Sequence, residues 1–108
     1  MMDKIVAVTG CPTGIAHTYM AAEMLENTGR SFGINVIVET NGAIGIENEL
    51  KASDIKDAIA VIIASDIQIQ KDRFIGKRLI EVGVSRAISD ATSLINDAIE
   101  GKYKIFKG

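Results

Sequence analysis

The chain has 108 residues, 47% of them hydrophobic, with twelve Lys and Arg against fourteen Asp and Glu for a formal charge of −2. That length supports one hydrophobic core, so residues 1–108 are expected to form a single domain, and the balanced charge speaks against a protein that wraps nucleic acid through counterion release. One cysteine excludes an internal disulfide or a Cys-x-x-Cys redox pair, and with a single histidine the chain is poorly supplied for a zinc site, so neither metal nor cofactor is expected.

No apolar run approaches the roughly 20 residues that span a bilayer, and the N-terminus leads straight into a strand pattern rather than a signal peptide. Ile5-Val6-Ala7-Val8 is a continuous apolar run, the pattern of a strand buried on both faces. A loop around Cys11 follows, and a helix is expected from Thr13 or Gly14 to about Asn27, stopped at Gly29. Ile34 to Thr40 reads as a β-branched strand ended by the turn signal Asn41-Gly42.

Ala43 to Leu50, interrupted by Gly45 and carrying Glu47 and Glu49, reads as a loop with a short turn. Ser53 and Asp54 are candidate N-caps for a short helix to Ala58, and Ile59 to Ala64 repeats the buried-strand pattern. Lys71 to Gly76 suggests a helical turn before a fourth strand near Leu79 to Val84. From Ser85 one last helix is expected, with Ala87, Ile88, Ala91, Leu94, Ile95, Ala98 and Ile99 on one stripe. The basic stretch Lys102 to Gly108 reads as a frayed end or a stub of a longer polypeptide.

Strands alternating with helices imply an α/β fold: a four-stranded parallel open sheet with helices on both faces and a crevice beyond the C-terminal strand ends. Cys11, Asn41 and Asp66 all fall at that edge. A loop leading into a helix N-terminus aims backbone N–H groups and the positive end of the helix dipole at its occupant. Such a loop activates a thiol and also cradles a tetrahedral oxyanion. Gly10 and Gly14 allow close backbone approach, Pro12 fixes the turn, and Thr13 and Thr18 add hydroxyl donors. Asp66 is expected to cap or solvate its loop rather than to act as a general acid. Lys71, Arg73, Lys77 and Arg78 form a local basic group that is a solvated face or a partner contact.

No Walker A run and no dinucleotide fingerprint is present. Two classes use a cysteine at a strand-to-helix phosphate loop: a cysteine phosphatase and a phosphocysteine carrier. The phosphatase pattern is Cys-x-x-x-x-x-Arg, whose guanidinium forks onto two phosphate oxygens. Here that position is His17, whose imidazole offers a weaker, switchable charge. Rapid hydrolysis is thereby disfavoured, which suits a carrier.

At these residues the chain resembles the fructose-family enzyme IIB domains of the bacterial phosphoenolpyruvate-dependent sugar phosphotransferase system. The run Cys11-Pro12-Thr13-Gly14-Ile15-Ala16-His17-Thr18 is similar to the family's phosphorylation loop, with supporting matches at Val38-Glu39-Thr40, Gly45-Ile46-Glu47-Asn48, Ala64-Ser65-Asp66-Ile67 and Arg73-Phe74. Gly10 stands where alanine is frequent, and Asn41 where glutamine often precedes the glycine. The resemblance implies that Cys11 accepts a phosphoryl group from a phosphohistidine on a IIA protein or domain. Thr13, Gly14, Ile15, Ala16, His17 and Thr18 would bind the group, which Cys11 then passes to a sugar, fructose by default, at the membrane permease IIC. It also implies a cytoplasmic protein that meets the membrane through IIC. A regulatory module read out by its phosphorylation state is the non-enzymatic alternative.

Overall fold

A computed structural model describes residues 3–12 and 15–108. Its strands are β1 (Lys4–Gly10), β2 (Asn35–Gly42), β3 (Gly45–Glu47), β4 (Ala60–Ser65) and β5 (Leu79–Val82). They form one sheet in the order β3-β2-β1-β4-β5. β2, β1, β4 and β5 are parallel, and β3 pairs antiparallel with β2. The helices are α1 (Ile15–Ser31), α2 (Ala52–Asp57), α3 (Val84–Ser89) and α4 (Ala91–Ile99), with a 3-10 turn at Asp72–Phe74.

Alternation along the central strands divides the core between the two sheet faces. Ile5, Ala7, Val36, Val38, Ile62 and Ala64 pack against α1, α3 and α4 through Leu25, Ala87, Leu94 and Ile95. Val6, Val8, Val61 and Ile63 meet α2 and the 3-10 turn through Ile55 and Phe74. The continuous apolar runs are therefore strands covered on both faces, as the sequence pattern requires.

Four expectations are corrected. The sheet has a fifth strand: the stretch expected to be a loop from Ala43 folds back at Ala43-Ile44, so that Gly42 pairs with Gly45, Asn41 with Ile46 and Thr40 with Glu47. Helix α1 does not stop at Gly29. It runs to Ser31, and the chain turns at Gly33 (φ +73°), where Ile34 N–H donates to the Gly29 carbonyl at 2.8 Å and Gly33 N–H to that of Arg30 at 3.0 Å, a Schellman closure. Gly29 is where α1 crosses β2, since a Cβ there would lie 2.3 Å from Val36 Cγ2.

The last helix is two, broken at Asp90 (φ −148°, ψ 46°), a short polar residue of the kind that begins helices. The apolar stripe spans the break, with Ala87, Ala91, Leu94, Ile95 and Ala98 all buried. The C-terminal stretch is docked rather than frayed. Tyr103 is buried with its hydroxyl donating to the Leu94 carbonyl, and Ile105 bridges to Arg78. Gly76 and Leu79 donate to the carbonyls of Phe106 and Lys104. Smaller shifts accompany these: α2 spans Ala52–Asp57, its Asp54 accepting from Lys51 N–H, and β5 ends at Val82.

Candidate functional site

The C-terminal edge of the sheet brings three strand ends together. Gly10 on β1 is in register with Asn41 on β2 and with Ser65 on β4. Asp66 N–H donates to the Gly10 carbonyl at 2.9 Å, and Asn41 Nδ2 to that of Thr9 at 3.4 Å. Cys11, Asn41 and Asp66 thus share one edge, as the order of elements implied. Gly10 admits no side chain easily, because a Cβ would meet Ile67 Cδ1 and Ser65 Oγ at 2.9 Å.

Cys11 follows directly, half-buried and packed against the α1 side of the core. Three residues of sequence separate it from α1, whose first N–H groups, from Ile15 to His17, have no carbonyl four residues back within the helix. Thr18 is fully buried, and its carbonyl accepts from Thr9 Oγ1 at 3.1 Å, which ties α1 to the end of β1. Ala16 and His17 are exposed. Thr13 and Gly14 lie outside the described residues, as does the side chain of Ile15.

Asp66 caps a neighbour: its Oδ1 accepts from Val84 N–H at the start of α3, 3.1 Å away. That agrees with the capping role expected for it. The four basic residues are each engaged within the chain. Lys71 pairs with Glu81 at 2.8 Å, Lys77 and Arg78 donate to the carbonyls of Lys56 and Tyr103, and Arg73 meets Glu39.

That last pair is the feature that reasoning from the sequence missed. Glu39 is 2% exposed. Arg73 donates Nη1 to its Oε1 at 2.9 Å and Nη2 to its Oε2 at 2.7 Å, and Leu50 N–H adds a third bond to Oε1 at 2.9 Å. Burial alone would raise the Glu39 pKa; the Arg73 fork, the Leu50 N–H and the Asn41 amide outweigh it and hold the carboxylate below its ordinary range. A cleft of about 400 Å³ opens beside the pair, walled by Asn41, Ile46, Gln68, Ile69 and Asp72. A signal was present in the sequence. Ile34, Val36 and Val38 face one side of their strand, which puts Glu39 on the other, and in a sheet covered on both faces a carboxylate there needs a cationic partner.

Comparison with known proteins now bears on this edge. The pattern of the family described as "PTS system, Lactose/Cellobiose specific IIB subunit" matches residues 6–97, which takes in β2 to β5 and all but the first two residues of β1. The chain belongs to the PTS IIB subunit family. It is 49% identical over 96 residues to the PTS system fructose-like EIIB component 2 of Escherichia coli K12, covering 88% of this chain and 91% of that protein. It is 46% identical over 105 residues to the PTS system fructose-specific EIIABC component of Bacillus subtilis, covering 97% of this chain but 16% of that protein. This IIB chain therefore spans about a sixth of that relative. Among solved structures, a domain of the fructose-specific IIABC component of Borrelia burgdorferi superposes with a TM-score of 0.94 at 43% identity, covering 98% of this chain and 100% of that one.

In this IIB chain the segments that carried the resemblance have physical roles. Val38-Glu39-Thr40 and Arg73-Phe74 supply the two halves of the Glu39–Arg73 ion pair. Gly45-Ile46-Glu47-Asn48 forms β3 and its exit: Glu47 accepts from the Tyr19 hydroxyl on α1, and Asn48, at φ +54°, donates Nδ2 to the Val38 carbonyl at 2.9 Å. Ala64-Ser65-Asp66-Ile67 is the turn behind Gly10, where Ser65 Oγ both accepts from Ile67 N–H and donates to its carbonyl.

Proposed function

We propose that this IIB chain, as one domain of residues 1–108, is a phosphotransferase that carries a phosphoryl group on Cys11. The observation that supports the reading best is the position of Cys11: at the end of a central parallel strand, followed within a few residues by the N-terminus of the longest helix. In the first step the Cys11 thiolate attacks the phosphorus of a phosphohistidine on a IIA protein or domain. The S–P bond forms as the P–N bond breaks, and the imidazole leaves with the electron pair of that bond. In the second step a sugar hydroxyl attacks the same phosphorus, the O–P bond forms, the S–P bond breaks and the hydroxyl proton passes to solvent or base.

The backbone N–H groups of Thr13, Gly14, Ile15, Ala16, His17 and Thr18 hold the equatorial oxygens, and the α1 dipole favours their charge. Pro12 supplies no donor. Catalysis then consists of positioning and electrostatic stabilisation, and no cofactor is assigned. Fructose is the assigned sugar, in keeping with the names of the relatives above. The fusion named in the B. subtilis EIIABC relative supports IIA and the membrane component IIC as partners. Among the described residues no helix is long and apolar enough to cross a membrane. We place the chain in the cytoplasm, reaching the membrane through IIC. Ile44 and Ile46, 76% and 58% exposed on the β2–β3 hairpin, give apolar surface beside the site for either partner.

Phosphorus NMR of the chain incubated with a phosphorylated fructose-type IIA tests the chemistry. A resonance of a sulfur-linked phosphoryl group, missing from Cys11→Ser, is expected. A nitrogen-linked signal carried by the Cys11→Ser chain itself, after separation from the phosphohistidine donor, would move the acceptor to His17 and overturn the proposal.

A further inference from the structure

Among the described residues the buried polar ones are Thr9, Thr18, Glu39 and Thr40. All four lie at one place, the C-terminal ends of β1 and β2 and the first turns of α1, whereas the strand interiors behind them are apolar. Glu39 with Arg73 is the costliest member of this group, because the carboxylate gives up its hydration almost completely and the guanidinium, a third exposed, gives up part of its own. Replacing such a pair by apolar side chains is often neutral or stabilising. Stability alone therefore does not account for its presence here, while its geometry does something an apolar pair cannot.

The bidentate fork fixes the plane of the Glu39 carboxylate, and Leu50 N–H fixes it a third time. Arg73 is itself held, its guanidinium carbon 4.8 Å from the ring centre of the fully buried Phe74. Two residues along β2, Asn41 lies on the same face as Glu39. Its amide also interacts with the Glu39 carboxylate, and its Nδ2 donates to the Thr9 carbonyl. Thr9 is two residues before Cys11, and Gly10 between them leaves no room for a Cβ, which would lie 2.9 Å from Ile67 and Ser65.

We propose that Glu39 and Arg73 are positioning residues for Cys11, acting through the Asn41 amide on the Thr9 carbonyl so that the end of β1 presents the thiol at a fixed place. The rate prediction rests on the phosphoryl-acceptor reading above; a second readout, alkylation of the thiol, does not. The double variant Glu39→Leu with Arg73→Met removes the pair without leaving a buried charge, and Asn41→Ala cuts the link downstream of it.

Each variant is melted to establish folding, then assayed for phosphoryl transfer from a phosphorylated fructose-type IIA and for alkylation by iodoacetamide. Misplacement of a reacting atom by about 1 Å costs on the order of 100-fold, so transfer at saturating donor is expected to fall about 10- to 100-fold with KM for the donor unchanged. The alkylation rate should change about threefold or more as the thiol's surroundings shift. Arg73→Lys, which keeps the charge and loses the fork, should recover only part of the loss.

If the double variant folds and both rates match the parent, the proposal is wrong. A higher KM at an unchanged rate also overturns it, since the residues would then serve docking. Should the double variant fail to fold, Asn41→Ala decides alone, by the same two rates. If the parent accepts no phosphoryl group from a competent donor but alkylation changes as expected, positioning stands and the phosphoryl-acceptor reading fails.

Discussion

Glu39 shows what a single buried charge costs and why this one stays ionised. Its carboxylate is held below the ordinary value of 4.5, so between the folded pKa and about 4.5 the unfolded chain binds more protons than the folded one. The sign follows: the pair's contribution is complete above about pH 4.5 and is lost as the pH falls through the lower, folded value. Urea unfolding of the parent chain between pH 3 and 7 should show this loss on acidification, and Glu39→Gln should show a shallower one. At neutral pH Glu39→Gln should cost about 2 kcal/mol, since Arg73 loses its charge partner but stays a third exposed and is rehydrated in part. An unchanged acid limb in the variant would mean that the pair does not set it.

At the scale of elements, the decisive contact is α1 against β2. Gly29 sits inside the last turn of α1, where alanine would ordinarily add up to about 1 kcal/mol of helix propensity. Here a methyl group would lie 2.3 Å from Val36 Cγ2, inside any real contact distance. Overpacking of this kind costs about 1–3 kcal/mol, so Gly29→Ala is expected to lower the melting temperature, against the propensity scale. A stabilised variant would refute the packing argument. Local pattern identified β1, β2 and β4 because β-branched residues run through both of their buried faces. It did not identify β3, whose three exposed residues are too few to display alternation. Gly29 misled because local propensity says nothing of a helix pressed onto a strand, and the break at Asp90 was hidden by an apolar stripe that continues through it.

Across the whole molecule, long-range contacts account for what the sequence did not disclose. The Arg73–Glu39 pair joins residues 34 apart, and the C-terminal segment docks on β5 and α4 through residues whose composition reads as a solvated tail. Removal of residues 102–108 should therefore destabilise the domain by about 3–5 kcal/mol, the cost of exposing the site of one buried aromatic and part of another, read as a fall in the denaturant midpoint. The edge that holds the candidate site was legible, because a parallel α/β sheet opens its crevice at the C-terminal strand ends and Cys11 follows the end of the central strand. The brace beneath it was not, because nothing local pairs Glu39 with Arg73.

The central claim is that Cys11 carries the phosphoryl group. It is tested most directly by intact mass after incubation with phosphoenolpyruvate, the general phosphotransferase proteins and a fructose-type IIA, for the parent chain and for Cys11→Ser. The account predicts a gain of one phosphoryl group in the parent and none in the variant. No gain in the parent with a competent IIA, together with Cys11-dependent turnover of an aryl phosphate, would contradict it and make the protein a phosphatase.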